Sequence, residues 1–533
     1  MPAAARLGLV LVVLCTTGAI DAQAQRRQEP PKTDGPWLGV MLPPESGTVP
    51  AVLVGDRGPR PAVVPPGDPA APELVGAAIH KDVETIVGFS DESRAKKEVG
   101  SGQLWGRISG FPSAARTVEW AAAELREAGI ADVKVQPFQQ NAESSFWLPL
   151  SWEVRLLADP ALGAGSQDVV LTSAMPLSPS EIPSGAMTAP LVYVGTASPA
   201  VIEHIDVKGK IAVQLIVPQA HLVFERAAGV PRAQALMKKG AVAVFNLIRL
   251  PGNELTRDFS SCGGPCFNIG GRDGHFLEEV LDRAATMGVG DKVRAQLTLK
   301  AESRTGLKAA NAVAVIPGRS EENIVVNAHY DGWFDGAGDN GDGLAVLLAL
   351  ARHFAKPGNT PGRTLVFNVS AGHHSPGLNG PSNFVAANAE LVKKTVMVIN
   401  LEHVSQRNFS LARSVADDGY RETVTDSGEA PITAGISNKS PFIDSLLDQA
   451  VTRYGVNFVS ERSAMGSGET GGFRSLPVAL LTIMQSPPLY HTTGEVRDVI
   501  STPGLERMAR FFAYFLKEAG KAPAAAINPA AAR

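Results

Sequence analysis

Four apolar, β-rich runs in the second half of the chain each empty into residues able to hold a metal ion or move a proton. "NIVVNA" leads into His329, Tyr330 and Asp331; "TLVFNVS" into His373 and His374; "VMVINL" into Glu402 and His403; "PVALLTIM" through "QSPPLY" into His491. Helical patterns lie between them, "DGLAVLLALARHF", "SNFVAANAELVK" and "SPFIDSLLDQAVTRYG", and "TPGLERMARFFAYFLKEAG" closes the series. Strands alternating with helices predict an α/β fold with a mostly parallel, mixed sheet flanked by helices. Ligands of such open sheets bind outside the carboxyl ends of the strands, so the four runs deliver their polar residues to one edge. The turn "DGAGDNGDG" adds Asp339 just before a helix.

Taken singly, each residue has a plain explanation: a solvated histidine at a strand end, or an aspartate capping a turn. Four coincidences on one edge point instead to an imidazole and carboxylate site of the kind that suits zinc or a similar divalent ion. Asp331 is spaced to fix the ring of His329 from behind.

The rest of the chain sets the context. With 533 residues the chain exceeds a single compact core, and 44% hydrophobic against 19% charged residues argues for folded domains. A formal charge of −4 gives no electrostatic reason to expect a nucleic-acid partner. Arg6, the apolar Leu7 to Leu14 and the Ala22-Gln23-Ala24 site read as an export signal covering residues 1–24. About eight apolar residues fall short of the ~20 that span a bilayer. Leu14 before Cys15 argues against lipid anchoring, and no later run is long enough to cross a membrane. A periplasmic or secreted protein is therefore expected. In that compartment Cys262 and Cys266 of "SCGGPC" predict a small disulfide loop in preference to a metal pair.

Composition divides the mature chain into a Pro-rich linker (25–75), an N-terminal part of the main domain (76–150), an inserted β-rich domain (151–305), the remaining main domain (306–520) and a disordered Ala-rich tail (521–533). The first part holds a predicted helix in "PSAARTVEWAAAELREAGI" and a strand in "VKVQPF".

Three blocks, "NAHYDGWFDGAGDNGDGLAVLLAL", "NAVAVIPG" and "LYHTTGEV", resemble the dinuclear-zinc exopeptidase family that includes bacterial leucyl aminopeptidases, aminopeptidase Y and glutamate carboxypeptidases. The resemblance runs from about residue 76 to 520, and "VKGKIAVQLIV" with "GAVAVFN" makes the insert similar to a protease-associated domain. It implies Zn2+, one or two ions, held by His329, Asp339 as the bridge, His374, Glu402 and His491, with Tyr490 beside them. The family usually carries a Glu-Glu pair, base then ligand, where this chain has His373-His374, and Asp where it has Glu402 and Glu495. His373 thus falls at the base position, Asp331 behind His329, and Glu469 of "GSGETGGF" either near the cleft or capping a turn. Two anionic ligands where three are usual predict a weakly held second ion. The implied function is an exported metal-dependent exopeptidase, an aminopeptidase in the first instance, acting on peptides. A non-catalytic pseudo-peptidase and a metallohydrolase or cyclase acting on a non-peptide amide are the alternatives. No helical dimerisation domain follows the last helix, so a monomer is expected.

Overall fold

The computed structural model describes residues 34–42, 58–68, 70–177, 179–217, 225–250, 252–257, 262–416, 419–438, 440–456, 458–461, 468–485 and 487–529. The expected export signal and much of the expected linker lie outside these residues.

The main sheet has eight strands: Asp132–Gln139 (β1), Lys308–Ile316 (β2), Ser320–His329 (β3), Arg363–Ser370 (β4), Thr395–Glu402 (β5), Ile432–Ile436 (β6), Phe458–Glu461 (β7) and Ala479–Gln485 (β8). Their order is β7-β6-β8-β5-β3-β4-β2-β1. β4, β3, β5 and β8 run parallel side by side, β2 and β1 are antiparallel to their neighbours, and β6 is antiparallel to β8 but parallel to β7. The parallel strands are buried on both faces, which is why they read as nearly unbroken apolar runs. Successive side chains alternate between two cores: Ile324, Val326 and Ala328 face one, Val325 the other.

The larger core is covered by helices Gly76–Lys96 (α1), Pro112–Glu127 (α2), Asp342–Ala355 (α3), Pro441–Thr452 (α5) and Thr502–Ala519 (α6); Gly380–Ala387 (α4) covers the other face. α3 is buried on every side from Leu344 to Ala351, as an apolar run without a polar face must be. α6 starts where Ser501 accepts the Gly504 N–H at 3.0 Å and Pro503 presets the first turn.

A second eight-stranded sheet is built entirely from residues 146–304. The antiparallel ribbon Phe146–Leu157 against Arg294–Arg304 leads into a parallel set ending at Cys266–Ile269. Its first strand begins five residues ahead of the expected boundary, because Phe146 and Leu148 bury into the second core.

Other expectations need correction. Part of the predicted linker packs: Trp37 and Leu38 are buried in the second core, with Trp37 Nε1 donating to the Gln167 carbonyl at 3.2 Å. The predicted disordered tail forms a helical turn, Ala524–Ile527, pinned by the Asn528 amide on the Pro477 carbonyl at 2.8 Å and by burial of Ile527. A hairpin, Arg407–Ala416 with Gly419–Glu429, follows β5 where no strand was expected. Cys262 and Cys266 are buried free thiols, not a disulfide; the Cys262 thiol turns onto the Gly264 carbonyl at 3.4 Å and shares a hydrogen bond with the Cys266 thiol. Among the described residues, no helix is long and apolar enough to cross a membrane.

Candidate metal centre

The carboxyl ends of β3, β4, β5 and β8 meet the loop that precedes α3, and the carboxylate of Asp339 lies at their centre. Its Oδ1 is 2.9 Å from His403 Nε2 and 3.2 Å from His329 Nε2; its Oδ2 is 2.8 Å from His491 Nε2 and 2.9 Å from His374 Nε2. Each oxygen therefore faces two imidazoles. His329, Asp339 and His374 form one group with mutually close donor atoms, and His329, Glu402 and His403 form another.

The contacts are close, yet Nε2 of His329, Nε2 of His374 and Oδ2 of Asp339 are buried and make no hydrogen bond. Buried polar atoms are almost always satisfied, so lone pairs aimed at shared space are the arrangement that a bound cation completes. The electrostatics agree. Burial pushes His403 down, but Asp339 outweighs it and raises the ring to about 9; Asp331 and Asp339 likewise raise His329 well above its ordinary value against burial. Burial pushes Asp339 up, and the surrounding imidazoles, His374 and His403 foremost, still hold it well below the carboxylate range. Asp339 thus stabilises positive charge at His329 and His403, while burial holds His374 below its ordinary value, and the donors fit zinc.

Supporting groups fix these rings. The Asp331 carbonyl lies 3.0 Å from His329 Nδ1 and its Oδ1 3.3 Å away, while its Oδ2 accepts the His374 N–H at 3.2 Å. Asp331 is itself held below the ordinary range: burial raises it, and the hydrogen bond from His329 prevails. Glu495 accepts the His491 N–H at 3.1 Å and the Gln406 amide at 2.7 Å, and burial with Asp339 nearby pushes it up to about 8. Tyr490 stacks on His491 with ring centroids 3.6 Å apart.

An amide ladder crosses the sheet beneath the site. Asn368 donates to Asn327 at 2.6 Å, Asn327 to Asn400 at 2.8 Å, and Asn400 to Glu402 Oε2 at 2.7 Å. Asn327 also donates to Glu469 at 3.0 Å, and the Ser370 hydroxyl bonds the same Glu469 oxygen. Glu469 is thus anchored below the cleft, and burial raises it to about 7. Below the loop, the buried guanidinium of Arg107 donates to the carbonyls of Tyr330, Asp335 and Gly336 and holds the turn leading to Asp339.

His373 differs from its neighbours. Its side chain is 20% exposed, its ring stacks on His329 at 4.3 Å, and its Nε2 is 3.7 Å from Glu402 Oε1. Burial and then His329 hold it down to about 3, so it is neutral.

The structure brings His329, Asp339, His374, His491 and Glu402 around one space, with Asp331 directly behind and His373 at the rim. Glu469 reaches Asn327 and Ser370 and belongs to neither donor group. Sequence reasoning placed His403 at the end of β5 but not among the metal ligands, and it missed the amide ladder and Arg107. The ladder had a signal: Asn327, Asn368 and Asn400 each stand two residues before His329, Ser370 and Glu402, hence on the same strand face.

The second sheet touches this edge. Arg257 N–H donates to the His491 carbonyl at 2.9 Å, Thr256 bridges to Thr492, and the Arg257 guanidinium lies over Trp333 at 4.9 Å. Trp333 in turn stands 5.9 Å from the His374 ring.

Residues 311–516 match the model of peptidase family M28. Leucine aminopeptidase 1 of Arthroderma otae is 26% identical over 261 residues, 43% of this chain and 65% of that protein. The chain thus spans just under two thirds of that relative. An M28 peptidase precursor from Shewanella amazonensis has a similar fold, with TM-score 0.58 and 18% identity over 84% of this chain and 98% of the other. BSAP, a zinc aminopeptidase from Bacillus subtilis, gives TM-score 0.54 and 19% identity over 84% and 97%. The segment that matches the family model contains β3, β4, β5 and β8 with the whole cluster around Asp339.

Proposed function

We propose that the protein is an exported zinc-dependent exopeptidase that removes residues from the amino end of peptides. The observation that carries this reading is Asp339, buried with two imidazoles at each carboxylate oxygen. His329, His403 and Glu402 would hold zinc on one side of it, His374 and His491 on the other. Zinc bound by such donors polarises a carbonyl and acidifies water.

The chain's own residues do the rest. Asp331 keeps a proton at His329 Nδ1 and leaves Nε2 as the donor. Asn400 aims Glu402. His373, neutral and open to the cleft, offers Nε2 as the proton acceptor where the family usually has a glutamate. Asp339 and Glu402 supply only two negative charges, which supports weak occupancy on one side. The export part of the reading rests on Arg6, Leu7 to Leu14 and Ala22-Gln23-Ala24. The similarity of the insert to a protease-associated domain supports a role for residues 146–304 in covering the cleft edge.

His373 also favours a second reading, a metal-binding pseudo-peptidase, since no carboxylate stands at that position. A mixed peptide library, incubated with zinc-loaded protein and with the His374→Ala variant and followed by mass spectrometry, separates the two. Stepwise shortening from the amino end, stopped by chelation and absent in the variant, is the expected result. An unchanged library with zinc bound would establish the second reading.

A further inference from the structure

At the opposite end of the main sheet lies a cavity of about 320 Å³, walled by α6, the end of α3 and the segments that enter β3 and β4. Arg319 lines it and immediately precedes β3, whose last residue is His329, so a strand length of about 30 Å separates this cavity from the metal centre. Its wall carries five cationic side chains against two carboxylates.

The charges are only partly matched. Arg510 is 6% exposed and its Nε donates to Glu506 at 2.9 Å, but its two terminal nitrogens have no protein acceptor among the described residues. Glu506 shares its charge with the Gly76 N–H at 3.1 Å. Arg453 pairs with Asp68 at 2.7 Å and lies over the Tyr514 ring at 4.9 Å, which holds its guanidinium flat against the wall. Lys521 is matched by Glu518 at 2.6 Å, whereas the exposed side chains of Arg319 and Lys517 have no described partner. A nearly buried guanidinium fork aimed into a polar cavity, with further cations around it, is a built anion site.

We propose that this cavity binds a small phosphate-bearing anion, with Arg510 as its anchor and Arg319 and Lys517 closing over it. Two guanidinium forks match the oxygens of a phosphate, and the Tyr454 and Tyr514 rings supply a wall for whatever the phosphate carries.

The test is titration calorimetry of the full-length protein with inorganic pyrophosphate, and with citrate as the polycarboxylate counterpart, both zinc-loaded and after chelation. The expected result is one saturable site in both states, tighter for pyrophosphate than for citrate and weakened at least tenfold by Arg510→Gln. Arg319→Gln, at an exposed position that folding does not depend on, should weaken it several-fold and decides the matter if Arg510→Gln does not fold. Binding that needs zinc, that survives both substitutions, that favours citrate, or that is absent for pyrophosphate would overturn the proposal.

Discussion

Asp339 cannot serve its four imidazoles as an ordinary ion-pair partner, because two rings crowd each oxygen and Oδ2 makes no hydrogen bond with either of its own. A carboxylate so placed does most as a shared ligand, and the surrounding side chains then divide into donors and one ring left at the rim. That ring is His373. Its Nε2 is 3.7 Å from Glu402 and its face covers His329, so it contributes neither a close donor nor a buried packing unit. A proton-acceptor role predicts that His373→Ala lowers kcat by about 10²–10⁴-fold, the usual range for losing a general base. Zinc content, measured by inductively coupled plasma mass spectrometry, should stay at the wild-type level. A matching loss of zinc would make His373 a ligand instead.

At the scale of elements, the junction between the Asp339 loop and α3 sets the geometry. Asn340 donates to the Leu401 carbonyl at 2.9 Å and accepts the His403 N–H at 3.1 Å, tying the loop to the end of β5. Gly343 sits in the first turn of α3, where alanine ordinarily stabilises a helix by about 0.5–1 kcal/mol. Here a Cβ would stand 2.6 Å from the Leu401 carbonyl and closer still to Asn340 Oδ1, so the sign reverses. Gly343→Ala should lower Tm by several degrees and weaken zinc binding about tenfold or more, checked by thermal melts with and without chelator. An unchanged Tm would show that the junction yields. The same junction explains what the sequence could reveal. β3, β4, β5 and β8 were legible because strands buried on both faces leave apolar runs, and His329 and Glu402 followed as their terminal residues. His403 was seen at the same strand end but not assigned as a ligand, since adjacent strand residues point to opposite faces and Glu402 already faced the site. The backbone leaves β5 at that point with His403 at φ 52°, a left-handed turn that returns its ring to the same side. His491, at φ 56°, enters the cluster by a similar turn and was found through its motif instead of its spacing. Trp37 escaped because a Pro/Gly-rich surrounding masks one short apolar cluster, whose burial depends on a sheet more than a hundred residues away.

For the whole molecule, the residues ahead of α1 bear on stability through one partly hidden carboxylate. Glu73 lies in the 3₁₀ turn Pro72–Leu74, whose Leu74 enters the main core, and it meets the end of α3. Its Oε1 is 2.8 Å from His353 Nδ1 and its Oε2 bonds Lys356. Burial pushes Glu73 up, but the hydrogen bonds, that from Lys356 foremost, outweigh it and leave the group below its ordinary value of 4.5. A carboxyl group depressed in the folded state binds fewer protons there than in the unfolded chain, so stability rises with pH across the interval between the two values. The contribution is therefore complete above about pH 4.5 and is lost as pH falls through the lower, folded value. Glu73→Gln keeps the shape and removes this titration. Urea denaturation from pH 8 to pH 3 should show the variant less stable by about 1 kcal/mol at neutral pH, a difference that stays flat down to pH ~4.5 and shrinks below it. Other carboxylates titrate in both proteins and cancel in the difference. A gap that persists unchanged at pH 3 would mean that Glu73 acts through packing, and that the turn is held to α3 by Leu74 alone.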